Sequence, residues 1–135
     1  MTGIEPERNY LLDTHIVLWA LERPESLSKI AYNAATTGPN VLSVVSYWEV
    51  MVKSMKGTLD VGDPRTWWQE ALDQLAATAL PIRPEHVAAV HGLTPIHQDP
   101  FDRMLIAQAT VEGLILVTAD AQIGRYASKN LCVVR

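Results

Sequence analysis

Cysteine is nearly missing from this chain. The one in 135 residues, Cys132, cannot close an internal bridge, which excludes a disulfide scaffold and leaves nothing pointing to an oxidising compartment. Basic charge is also short, with 11 bases against 15 acids and a formal net charge of −4. That is the wrong sign for a protein that grips nucleic acid by bulk electrostatics, although an acidic site that recruits phosphate through a metal stays open. Long apolar runs are missing too. The longest uncharged stretch, Ile30 to Trp48, spans 19 residues but carries Asn33, Thr36, Thr37, Gly38, Pro39 and Asn40, too polar and broken to span a bilayer. Met1 to Tyr10 holds Glu5, Glu7 and Arg8 without an apolar core, so it does not read as a secretory leader. No repeat, low-complexity tract or Gly/Ser linker divides the sequence. The expectation is one cytoplasmic domain over residues 1–135.

What is present is 48% apolar residues, enough for a sizeable core and far from the composition of a disordered chain. Short β-branched runs alternate with helical segments, the grammar of an α/β domain with a mainly parallel sheet. The strands read as Asn9–Leu12, Val41–Val45, Ala79–Ile82, Leu114–Thr118 and Leu131–Val134. Between them, helices are predicted at His15–Leu21, Ser26–Thr37 (stopped by Gly38-Pro39), Tyr47–Lys56 and Asp63 to about Ala77. Further helices are predicted at Pro84–His91, at Phe101–Glu112 and from Asp120 to about Tyr126. Asp63-Pro64 and Asp99-Pro100 each read as a cap followed by proline at the first helical position, and Gly113 as a C-terminal stop. These elements fit 135 residues as a three-layer α/β/α sandwich around a five-stranded, mainly parallel sheet.

Open parallel sheets bind ligands beyond the carboxyl ends of their strands. Asp13 ends the first strand, Asp120 follows the fourth, and Glu49 falls early in the helix after the second. Asp102 lies in the first turn of the helix before the fourth strand and reaches the same rim if that helix starts there. Each acid also has a purely structural reading. Asp13 and Asp120 can cap helices, Ser46-Tyr47-Trp48-Glu49 matches a capping box, and Asp102 favours a helix dipole. Asp102, however, shares a column with Ile106 and Ala109, an apolar face where an unpaired carboxylate is costly. Two carboxylates about 4 Å apart repel by about 4 kcal/mol at an effective dielectric of 20, so four on one rim would protonate or hold a divalent cation. All-oxygen donors suit Mg²⁺, with Mn²⁺ as a substitute. Zinc is disfavoured, since Cys132 is alone and His86 and His91 lack metal-binding spacing and lie off the acids.

Four segments, Leu11–Leu21 (LLDTHIVLWAL), Ser46–Val50 (SYWEV), His97–Ala109 (HQDPFDRMLIAQA) and Gly113–Asp120 (GLILVTAD), resemble the PIN-domain ribonucleases, especially VapC-type toxins of toxin–antitoxin pairs. They run in family order and span nearly the whole chain. The resemblance implies that Asp13, Glu49, Asp102 and Asp120 form the metal site and that Thr14 and Thr118 sit beside it. It also implies Mg²⁺-dependent hydrolysis of RNA phosphodiesters, a homodimer and an antitoxin partner lying across the cleft. Lys53 and Lys56 share a helical face with Glu49 and, with Arg103, are candidate contacts to RNA phosphates; for the lysines the plain alternative is a solvated stripe with one Glu–Lys pair. Asp99 reads as a cap before a ligand, and His15 and His97 as local partners before substrate contacts. Trp67-Trp68 reads as core, with an antitoxin or dimer surface as the alternative for one of them, since neighbours cannot share one helical face. Two other functions fit the same kind of sheet. A haloacid-dehalogenase-like phosphatase wants an aspartate where His15 stands, and a binding domain without catalysis would be expected to have lost acids that are all present here.

Overall fold

The structure, a computed structural model, describes residues 9–95 and 99–126 and the backbone of 132–134. Its five strands are β1 (Tyr10–Leu12), β2 (Asn40–Ser43), β3 (Ala77–Leu80), β4 (Ile115–Val117) and β5 (Cys132–Val134). All pair in parallel, in the order β3-β2-β1-β4-β5. Connecting them are α1 (Thr14–Glu22), α2 (Lys29–Thr37), α3 (Val44–Met55), α4 (Pro64–Gln74), α5 (Pro84–His91), α6 (Pro100–Glu112) and α7 (Ala121–Gly124).

The strand order fixes where a ligand belongs. From β1 the chain builds outward to β2 and β3, then crosses back to lay β4 and β5 on the other side. The reversal lies between β1 and β4, and the crevice beyond their carboxyl ends is the switch point of the sheet.

Strand alternation sends neighbouring side chains to opposite faces, and two cores result. Leu12, Leu42 and Val117 pack with Ile16, Val17, Ala34, Val50, Trp67 and Trp68 from α1–α4. Leu11, Val41 and Leu116 pack with Leu105, Ile106 and Ala109 of α6 and Ile123 of α7. Helices thus cover both faces, giving the expected three layers.

Most local signals act as read. Asp63, Asp99 and Asp120 accept backbone N–H bonds at the starts of α4, α6 and α7. Gly113 ends α6 in the left-handed conformation, with φ 68°.

Several boundaries differ: α4 stops at Gln74 instead of near Ala77, and three other differences have a local cause. The expected helix Ser26–Thr37 is a short 3₁₀ turn, Pro24–Ser26, and then α2, capped by Ser28 through Ala31 N–H at 3.1 Å. β3 begins at Ala77, two residues before the expected start; it is an edge strand, its middle residues exposed, so no buried apolar pattern marks its register.

The third difference touches the site. β2 ends at Ser43, whose hydroxyl accepts from Val45 N–H at 2.9 Å, and α3 begins at Val44. Ser46 is therefore not a cap, and the capping-box reading of Glu49 falls: Glu49 stands in the second turn of α3, beyond the unpaired N–H groups. Ser46 is buried and accepts from Thr14 Oγ1 at 2.8 Å, tying α3 to α1.

Candidate active site

A cavity of about 350 Å³ opens beyond the carboxyl ends of β1 and β4. Asp13, Glu49, Asp102 and Asp120 all line it, together with Asp99, Lys53, His15, Trp19 and Ala119. Asp102 does reach the rim, because α6 starts there.

Asp13 is the first residue after β1, and its N–H donates to Val117 O at 2.9 Å, which pins it to β4. Its carboxylate is 4% exposed and accepts twice, from Thr118 Oγ1 at 2.6 Å and from Thr14 N–H at 2.7 Å. Burial pushes this carboxyl above the ordinary aspartate range, the two hydrogen bonds and nearby His15 pull it back, and the charge of Glu49 adds to the rise. From the ordinary value up to the raised one, the folded state binds the proton more tightly than the unfolded chain does. Ionising Asp13 on the way to neutral pH therefore costs stability.

Thr118 joins two of the acids, since the hydroxyl that donates to Asp13 accepts from Asp120 N–H at 3.0 Å. Asp120 also caps α7 through Gln122 N–H at 2.8 Å, so its capping role and its place on the cavity wall coexist. Thr14 turns its hydroxyl away, to Ser46, and among the described residues supports the site through its backbone N–H. Asp99 is the cap of α6, as expected, and faces the cavity as well.

Glu49 is 3% exposed. Its Oε2 accepts from Lys53 Nζ at 2.7 Å, while its Oε1 is buried with no hydrogen-bond partner among the described residues. Such an orphaned carboxylate oxygen is expensive unless something else coordinates it. Glu49 holds the Lys53 ammonium above the usual lysine range. Among the described residues, no three His, Cys, Asp or Glu side chains are gathered into a formed metal-ligand set; the acids line one wall-to-wall cavity instead.

The candidate phosphate contacts separate. Lys53 is brought into the cavity, Lys56 is exposed just past the far end of α3, and Arg103 lines a different groove. The Arg103 guanidinium donates to the carbonyls of Val90 and Thr94, both at 3.4 Å, beside an apolar groove with Trp48, Val87 and Met104. His15 edges onto Trp19 with ring centres 6.1 Å apart, and His97 lies outside the described residues. Sequence reasoning missed Trp19 as a wall of the cavity; the signal was its i+4 spacing from His15, which puts both on one face of α1.

His86 is off the acids, as expected. It is fully buried and bound to Glu112 Oε2 at 2.7 Å.

The family model for the PIN domain matches residues 10–129. No curated protein sequence matches the chain. Among solved structures, the chain is similar to DNA-bound VapBC from Salmonella typhimurium, at 16% identity and a TM-score of 0.64 over 94% of this chain and 97% of that one. VapBC-5 from Mycobacterium tuberculosis gives 16% identity and a TM-score of 0.62 over 96% and 99%. VapBC2 from Rickettsia felis, bound to a DNA fragment from its promoter, gives 18% and 0.61 over 92% and 96%. At these identities the likeness speaks to the fold.

Proposed function

The chain belongs to the PIN-domain family, and from that premise we propose that it is a Mg²⁺-dependent endoribonuclease, the VapC-type toxin of a toxin–antitoxin pair. The observation that carries the reading is Glu49: a carboxylate almost fully buried at the switch point, with one oxygen unpartnered, facing a cavity shared with Asp13, Asp102 and Asp120. Evolution of a stable fold alone gives no reason to bury that oxygen unpaired. A divalent cation does, and an all-carboxylate donor set fits Mg²⁺ or Mn²⁺.

When bound, such an ion lowers the pKa of a coordinated water and polarises the phosphodiester. The chain's own residues do the rest. Asp13, Glu49, Asp102 and Asp120 supply the oxygens. Thr118 holds the Asp13 carboxylate in one orientation and fixes the Asp120 backbone, so these two acids keep their relative position. The Thr14 N–H holds the second Asp13 oxygen. Lys56, exposed beyond the cavity just after the helix that carries Glu49, is suited to the RNA backbone running out of the site.

The similar solved complexes pair toxin with antitoxin, which supports an antitoxin protein as the partner of this chain. Among the described residues no helix is long and apolar enough to cross a membrane. Action on cytoplasmic RNA, as a homodimer, completes the proposal.

Divalent metal should stabilise the fold, because the folded cavity collects acids that the unfolded chain disperses. At 100 times the dissociation constant, linkage gives about 2.7 kcal/mol. For a chain of this size each kcal/mol moves the melting temperature by about 4 °C. Thermal melting with and without millimolar Mn²⁺ should therefore show a rise of about 10 °C near saturation, relative to the protein in chelator. An unchanged melting curve would mean that the acids form no cation site of useful affinity.

A further inference from the structure

Lys53 sits where the chemistry of the cavity needs a cation. Its ammonium is 2.7 Å from Glu49 Oε2, one helical turn along α3, and it lines the same cavity as Asp13, Asp102 and Asp120. Asp99 and Asp102 also act on its charge. Glu49 is too deeply buried for water to offset its charge, so within the described residues the lysine is what neutralises it. The lysine itself is not locked in: its side chain is 38% exposed, on a flexible four-carbon stem. The oxygen of Glu49 that faces Lys53 is already in use.

We infer that Lys53 is the resident cation of the metal-free cleft, an intramolecular competitor that a divalent ion must displace from Glu49, and that it thereby sets the metal affinity of the site. The inference rests on the reading that these acids bind metal. With the Lys53 ammonium on Oε2 and a dication on the unpartnered Oε1, two cations would face each other across one buried carboxylate and repel strongly, so binding of the dication drives the ammonium off. Lys53 is on this account a positioning residue: it acts through Glu49. A merely structural ion pair makes a different prediction, because losing it would weaken the fold and with it every ligand the fold binds.

The test is calorimetric titration of the purified protein with Mn²⁺, paired with thermal melting in chelator, for wild type, Lys53→Met and Lys53→Arg. Lys53→Met keeps the length and apolar stem and removes the charge. It should melt lower than wild type in chelator yet bind Mn²⁺ about tenfold or more tightly, the scale by which groups next to metal ligands move affinity. Lys53→Arg keeps a cation that engages a carboxylate through two donors, and should bind Mn²⁺ no more tightly than wild type. Folded Lys53→Met that binds Mn²⁺ equally or less tightly than wild type overturns the inference. So does Lys53→Arg binding more tightly than wild type, which stands as the deciding result if the methionine variant does not fold. Wild type that binds no Mn²⁺ at all overturns the metal reading itself, a separate outcome.

Discussion

Glu49→Gln is expected to cut metal-dependent RNA cleavage by at least about 100-fold while leaving the protein folded; groups that merely support metal ligands are already worth 10–100-fold. Glutamine matches glutamate in volume and can still accept a hydrogen bond from Lys53, so the packing of α3 is kept. What it removes is a negative oxygen donor at a position that is 3% exposed and has one oxygen unpartnered among the described residues. In chelator the variant should melt close to wild type, since the lost ion pair is offset by relief of a buried charge near Asp13. Asp102→Asn should behave alike, because Asp102 enters the same cavity from α6. The measurement is initial cleavage rate on one RNA at saturating Mg²⁺, beside a melting curve. A Glu49→Gln protein that cleaves at the wild-type rate removes Glu49 from the site.

The largest loss of stability is expected at Trp68→Ala. Trp68 is 6% exposed and stacks on Tyr47, with ring centres 5.0 Å apart and planes within 9°. Truncating a buried tryptophan costs about 3–5 kcal/mol, which lowers the melting temperature of a chain this size by about 12–20 °C. Trp67, at 5% exposed, is buried in the same core. A partner surface on this pair is therefore ruled out, and the exposed tryptophan is Trp48, at 54%. A Trp68→Ala protein that melts within a few degrees of wild type would contradict the packing described for α4.

Why both neighbours are buried shows where a linear reading stops. Adjacent helical residues point about 100° apart, so one apolar stripe cannot hold both. But α4 lies in a corner, touching α3 and α1 as well as the edge strand β3, and so buries more than one face. That enclosure comes from tertiary neighbours, and no periodicity within Pro64–Gln74 encodes it.

The acids were legible for a different reason. Asp13 and Asp120 come at the ends of short apolar strands, and the parallel-sheet rule puts such positions on one rim whatever the details of packing. Asp-Pro pairs and Gly113 act through purely local chemistry, which is why the starts of α4 and α6 and the end of α6 were visible. The boundary between β2 and α3 was not. Val44 and Val45 are β-branched and read as strand, yet sheet pairing ends at Ser43, opposite Leu80, and the Ser43 hydroxyl then starts the helix. Three residues of slip moved Glu49 from the first turn to the second and dissolved its capping box. The pairing of Lys53 with Glu49 was readable as an i,i+4 spacing, but its inward direction depends on the cavity.

The most direct test of the central claim is incubation of the purified protein with total RNA in Mg²⁺ and in excess EDTA, followed by mapping of the new ends. Discrete cleavage sites are expected to appear with Mg²⁺, reappear with Mn²⁺, and vanish in EDTA. Cleavage undiminished in EDTA, or none in Mg²⁺ from a folded protein freed of its antitoxin, would contradict the claim.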